Sequence, residues 1–432
     1  MRFTRAILLL AGAVATCSSV STAAPCAAKG DATAATVSAY NTTATTTTTG
    51  STTQQQSQSK DEVIMYVGAY TRDEGWVNGT AKGINAFSFN TQTGALTHLS
   101  ETDVGINPTF IRGRSARKSG NKQFLYAVNE VYEPSAEFPG TTTGYVVSIE
   151  VTGKGQLKVL NRVETRGNGP THVSVSPNED FVAASMYGGG GVIMYPVNKK
   201  DGSLAPTSDS HFYKEGSKVK PPQEAAHLHS TTWVPGTKLV FAADLGNDQL
   251  VQYKLDSTTK KLDNTTLPII KRPPGSGPRH MAIHPSGKIA YVVDELSNTI
   301  GVYPLNQKDK SLPANATQNL STLPADFSGT SSSADIHVST DGKFVYTSNR
   351  GHNSIAIFKV KSQKDGSLQW IGNESTRGEL PRSFLLYKNF LVVANQNTDN
   401  IEVFKVKSDG TLAHTGQSAK SNTPVCVYIP PI

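Results

Sequence analysis

A short pattern that recurs at intervals of 44 to 61 residues constrains this chain more than any other feature. A β-rich run ends in a turn, and the turn is followed by Gly or Lys, any residue, then Leu. The marker positions are Gly94, Gly155, Gly202, Lys260, Lys310, Gly366 and Gly410. Before most of them stands an alternating strand, such as Ile300-Gly301-Val302-Tyr303, Ile355-Ala356-Ile357-Phe358 or Ile401-Glu402-Val403-Phe404. Another strand pair precedes each of these, as in Pro278 to Ile283 followed by Ala290 to Glu295. Units of about 50 residues holding four strands each are the mark of propeller blades, because one such sheet cannot bury both of its faces alone. The chain opens on a B-like strand, Met65 to Tyr70, and closes on an A-like strand, Pro424 to Ile429, which together complete one blade. The expected fold is all-β: a seven-bladed β-propeller of four-stranded antiparallel blades, closed by N- and C-terminal strands in one blade. It should occupy residues 62–432.

The segment before it reads differently. Arg2 and Arg5 precede an apolar stretch from Ala6 to Ala15, then small residues to Ala24, the order of a secretory signal peptide over residues 1–24. That stretch is too short to span a bilayer, and no later one approaches the length required. Residues 25–61, rich in Thr and Ser, lack apolar periodicity and are expected to be a disordered tail. The expected protein is secreted. Asn-x-Ser/Thr acceptors at Asn41, Asn78, Asn264, Asn315, Asn319 and Asn373 suit a glycoprotein on that route. Cleavage leaves Cys26 and Cys426, which either pair or leave Cys426 a free buried thiol. The net charge of +7 is spread without a run of five basic residues, which argues against a nucleic-acid tract and fits an anionic small molecule.

Propeller geometry decides which polar groups can meet. Strand direction alternates, so the starts of A strands and the ends of B strands open on one face. The A starts supply His172, His227, His229, Arg279, His280 and Arg382, and the B ends supply Asn129, Glu130, Asp244, Asp294, Glu295, Asn349, Arg350, His352, Asn395 and Gln396. Blade packing does not require His and Arg there, so their concentration marks a functional mouth. His227-x-His229 has the spacing that puts two side chains on one strand face, but no third ligand stands at a diagnostic distance, and no metal or other cofactor is assigned. Gly188 to Gly191 lacks the context of a nucleotide loop.

The segments Gly277-Pro278-Arg279-His280, Asp294-Glu295-Leu296-Ser297, Ser348 to Ile355 and Ala394-Asn395-Gln396 resemble motifs of the 6-phosphogluconolactonase propeller family. So do His227-Leu228-His229, Asp244 to Asp248 and the opening Tyr66 to Thr71. This resemblance implies a cleft built around His229, Arg279, Glu295 and Arg350 as catalytic residues; His172, His227, His280, His352, Arg382 and Gln396, as residues of the same mouth, are expected to line the substrate. It implies hydrolysis of a small anionic lactone, with Glu295 or His229 as acid or base and the arginines on an anionic substituent or an oxyanion. The family also holds carboxymuconate-lactonising enzymes, and a non-catalytic binding propeller is the reading from a different class. The chain departs from the family pattern at Ala184-Ser185-Met186-Tyr187, where Ala-Asn-Tyr is usual, and at Asp335, where Glu is usual.

Overall fold

The computed structural model describes residues 61–115 and 122–431. The expected signal peptide, nearly all of the Thr/Ser-rich tail, Cys26 and Asn41 lie outside them.

Seven antiparallel sheets form the domain. Their innermost A strands are Pro108–Gly113, Pro170–Val175, Leu228–Trp233, Pro278–Ile283, Ser332–Val338, Pro381–Tyr387 and Pro424–Tyr428, which we take as blades 1 to 7. Each A strand packs on the next, and blade 7 packs on blade 1, so the ring is closed. Six blades are contiguous in sequence; blade 3 carries an additional short strand, Ile270–Lys271. Blade 7 is composite: the C-terminal Pro424–Tyr428 lies against Glu62–Ala69, with Tyr66 opposite Tyr428 and Val67 opposite Val427. The expected architecture, including its closure, is the one observed.

The middle strands read as near-continuous apolar runs because both of their faces are covered. Phe390–Asn395 and Leu239–Asp244 are buried along their whole length. The outermost strand of blade 6, Leu412–Lys420, alternates between covered and exposed positions, as an edge wetted on one side must. The core consists of clusters lodged between neighbouring blades; one unites Phe344, Tyr346 and Ile357 of blade 5 with Phe384, Leu391 and Phe404 of blade 6.

The repeated markers clasp blade to blade. Gly202, Gly366 and Gly410 have φ of 76°, 75° and 87°, a region that costs residues with a Cβ. The carbonyl of each accepts a hydrogen bond from a tyrosine of the preceding blade: Tyr126 Oη to Gly202 at 3.0 Å, Tyr291 Oη to Gly366 at 3.0 Å and Tyr346 Oη to Gly410 at 2.9 Å.

A second regularity builds the site. At the start of every A strand the register slips by one residue against strand B: Leu228 faces Asp244 but Ser230 faces Ala243, and Pro278 faces Asp294 but His280 faces Val293. The residues left over by these β-bulges are Thr109, Thr171, His229, Arg279, Ala334, Arg382 and Val425. A bulge re-aims a side chain, and here it turns one residue per blade inward.

Candidate active site

Six of the seven bulge residues, Thr109, Thr171, His229, Arg279, Arg382 and Val425, line one small axial cavity together with Phe110, Glu130 and His280. A second ring comes from the B-strand ends: Tyr70, Glu130, Tyr187, Leu245, Glu295, Arg350 and Gln396 occupy corresponding positions. Strand A starts therefore meet strand B ends on one face.

Glu295 holds two guanidiniums. Its Oε2 lies 2.9 Å from Arg279 Nε and 2.9 Å from Arg350 Nη2. Arg279 Nη1 donates to the Ala334 carbonyl at 2.7 Å, and Arg350 Nη2 to that of Ser333 at 3.2 Å. Burial alone would push the Glu295 carboxyl up, but Arg350, Arg279 and Arg382 outweigh it and hold the group below the usual carboxylate range. Arg279 is pushed down to about 9 by burial and by Arg350, against the pull of Glu295, and stays charged at neutral pH. Asp294 does not compete for these arginines, because a buried Arg272 takes it with Nε at 3.0 Å from Oδ1.

His229 is buried, and its Nδ1 has no hydrogen-bond partner among the described residues. Burial, followed by Arg279, His280, Arg382 and Arg350, drives its pKa well below the ordinary histidine value, so the ring is neutral and has a nitrogen to offer. His280 stands behind it, with ring centroids 5.2 Å apart. Its Nδ1–H donates to Asp335 Oδ1 at 2.9 Å, so Nε2 is the acceptor facing Arg279 Nη1 at 3.3 Å. Burial and Arg279 lower His280 to about 4 despite Asp335. His172 is wedged between Phe110 (4.2 Å) and His280 (5.3 Å), and these rings separate the mouth from a second axial cavity of about 230 Å³ lined by Arg112, His172, Asp335 and His337 among others.

The other expected residues spread out. His227 precedes its strand and stacks on Tyr187 at 4.2 Å, while His229 is the bulge residue and meets the same tyrosine edge-on at 5.8 Å. The simple alternation expected for His227-x-His229 is thus broken by the bulge. Among the described residues no group of three His, Cys, Asp or Glu is placed to hold a metal ion. His352 is occupied by Ser354 Oγ at 2.6 Å and packs on Phe327 at 4.7 Å, and among the described residues no hydrogen bond or ion pair joins its side chain to the arginine cluster. Gln396 is buried with Oε1 unpartnered among the described residues.

Tyr70, Tyr132 and Tyr187 belong to the mouth without having been singled out, and Glu130, recognised only as a strand end, proves central. Glu130 is buried and accepts from Tyr70 Oη at 2.9 Å, Thr109 Oγ1 at 2.9 Å and Tyr132 Oη at 3.1 Å. The signal was available: Glu130 stands after Asn129 as Glu295 stands after Asp294, at the same point of two blades.

Comparison with known proteins agrees with this fold. The family model described as "Lactonase, 7-bladed beta-propeller" matches residues 64–429. The chain belongs to this lactonase family. It is 34% identical to a 6-phosphogluconolactonase of Bacillus subtilis over 84% of this chain and 97% of that protein. It is 33% identical to a 6-phosphogluconolactonase of Formosa agariphila over 79% of this chain and 92% of the relative. The solved periplasmic gluconolactonase of Pseudomonas aeruginosa superposes with a TM-score of 0.74 at 28% identity, covering 85% of this chain and 99% of that one.

Proposed function

We propose that this lactonase-family propeller is a secreted hydrolase that opens the lactone of an anionic sugar acid. The observation that carries the reading is a neutral imidazole with an unpartnered nitrogen, His229, beside two guanidiniums locked together by one carboxylate. Hydrolysis adds water across the acyl C–O bond: hydroxide goes to the carbonyl carbon and a proton to the ring oxygen. His229 takes the proton from the attacking water and returns it to the leaving alkoxide. Arg279 and Arg350 face the charge that develops on the carbonyl oxygen. Glu295 is ionised and its Oε2 is shared by two guanidiniums, so it serves as the brace that fixes them rather than as an acid. Asp335 and His280 hold Arg279 from behind.

The names of the relatives support the chemistry, two of them as 6-phosphogluconolactonases and one neighbour as a periplasmic gluconolactonase. The last also suits the route suggested by the N-terminal sequence, since phosphorylated sugar lactones are intracellular metabolites. The test is a lactone panel, phosphorylated and unphosphorylated, at fixed pH with a chelator present. Turnover that disappears in His229→Ala supports the reading. A wild type that opens no lactone on the panel overturns it in favour of a binding propeller. Secretion is tested by sequencing the N-terminus of protein recovered from medium.

A further inference from the structure

The three arginines of the mouth are not equivalent. Arg279 and Arg350 are both engaged by Glu295, whereas Arg382 forms no ion pair with a carboxylate among the described residues. Its Nη2 donates to Tyr70 Oη at 3.2 Å, and Tyr70 in turn donates to Glu130, so the guanidinium reaches that carboxylate only through a hydroxyl. Its Cζ lies 5.7 Å from the centre of the Tyr70 ring and 5.9 Å from that of Trp76. Set against Glu130 and Glu295, the three guanidiniums leave one positive charge in surplus, and Arg382 is the one of the three that no carboxylate touches directly among the described residues.

Trp76 has the opposite peculiarity. It is 46% exposed, an unfavourable place for an indole, yet it is held firmly. Its ring stands edge-on to Tyr70 at 5.1 Å. The next residue, Val77, is buried with Tyr70 and Val425, so the loop is rooted in the axial cavity. Glu74 pins the turn: its Oε1 accepts from Asn107 Nδ2 at 2.6 Å and from Arg72 Nε at 2.5 Å, and its N–H donates to Val77 O at 2.9 Å. An exposed indole on a pinned loop, beside a guanidinium without a direct ion pair, presents a flat apolar face and a planar cation with little ordering left to do on binding.

We propose that Arg382 and Trp76 form the recognition subsite for the anionic end of the substrate: Arg382 pairs with a carboxylate or phosphate remote from the lactone carbonyl, and the Trp76 face covers the sugar carbons next to it. This rests on the lactonase reading and assigns specificity to a pair separate from the Arg279–Glu295–Arg350 centre.

The experiment compares 6-phosphoglucono-δ-lactone with glucono-δ-lactone in wild type, Arg382→Met and Trp76→Ala, with melting curves as the control for folding. In Arg382→Met the ratio of kcat/KM for the phosphorylated over the unphosphorylated lactone is expected to fall at least about tenfold, mostly through KM. Trp76→Ala is expected to raise KM for both lactones several-fold. A ratio that moves less than twofold in a folded Arg382→Met protein overturns the proposal. Should that variant not fold, Arg382→Lys replaces it, keeping charge but not the fork, and an unchanged ratio there counts against the pairing. A second readout needs no turnover. The chain has 3 Trp, so fluorescence titration with 6-phosphogluconate reports on Trp76 by comparison with Trp76→Phe. If the wild type hydrolyses neither lactone, the lactonase reading fails, and the titration alone decides the subsite: saturable binding that weakens tenfold or more in the Arg382 variant sustains it, and equal or absent binding removes it.

Discussion

Glu295 and His229 sit in the same mouth, and their surroundings separate their roles. Replacing Glu295 by Gln leaves Arg279 and Arg350 as buried cations without a counter-charge, a change that costs about 3–5 kcal/mol when a buried pair is broken. Glu295→Gln should therefore lower both the melting temperature and kcat. His229 Nδ1 has no partner to lose, so His229→Ala should reduce kcat by about 10²-fold or more at a smaller cost in stability. Equal losses of stability in the two variants would contradict this division. The pH profile follows from the same burial. His229 lies well below the ordinary histidine pKa of about 6.5 and so remains the unprotonated base through neutrality. Accordingly kcat/KM should stay flat from about pH 8 to 6 and fall only on further acidification; a decline centred near 6.5 would count against His229 as the base. Asp335 works on stability instead. Burial opposes its charge, yet its hydrogen-bonded partners His280 and His337 depress it well below the usual range. A folded pKa below the unfolded one contributes stability above the unfolded value of about 3.9 and loses it as pH falls through the folded one. Asp335→Asn should thus melt earlier than wild type at pH 7, with the gap narrowing below about pH 4.

At the level of strands and turns, the fold is legible in the sequence where the physics is local and repetitive. The Gly/Lys-x-Leu markers were legible because each turn needs a left-handed residue: Lys260 and Lys310 adopt φ of 57° and 62° where other blades use glycine. The bulges were not legible. Pro278-Arg279-His280 and Pro381-Arg382-Ser383 read as plain alternating strands, and only pairing with Asp294 and Asn395 shows the extra residue that turns each arginine inward. This is why His227-x-His229 reads as two side chains on one strand face, and why Tyr70 and Tyr187, though they stand in segments compared with the family, receive no site role from sequence: a tyrosine after a strand has no chemistry in isolation. Superposing the blades by their B ends would have put Tyr70, Glu130, Tyr187, Glu295 and Arg350 in one ring. The turns also carry a prediction. A Cβ on Gly410 would come within 2.2 Å of the Phe344 ring at a φ of +87°, so Gly410→Val combines backbone strain with overpacking, each about 1–3 kcal/mol. It should lower the melting temperature clearly, while Lys310→Gly, which relieves a positive φ, should leave it unchanged or raise it. Thermal melts of the two variants side by side check both.

The whole molecule stands or falls with a closure made by strands from opposite ends of the domain. Blade 7 depends on four ladder pairings between Glu62–Ala69 and Pro424–Tyr428, and the last strand also seals blade 1: Tyr428 Oη accepts from Gly113 N at 2.9 Å, and Ile111 N–H reaches Cys426 Sγ at 3.4 Å. Cys426 is buried in this contact and has no disulfide partner among the described residues, and burial raises its pKa, so it packs as an apolar group. Removing residues 424–432 would strip the inner strand from blade 7, expose the edge of Glu62–Ala69 and take Val425 out of the axial cavity. An open ring with a bare strand edge should associate through it. We therefore expect a chain ending at residue 423 to elute as oligomers or precipitate, with a lower and broader melt and without lactone turnover. A chain beginning at residue 60 keeps all seven blades, and its melting temperature should lie within a few degrees of the full-length value. Gel filtration and melting curves of the two truncations distinguish the ends. A monomeric, active protein lacking residues 424–432 would mean that the ring is held by its blade-to-blade clasps without the terminal strand pairing.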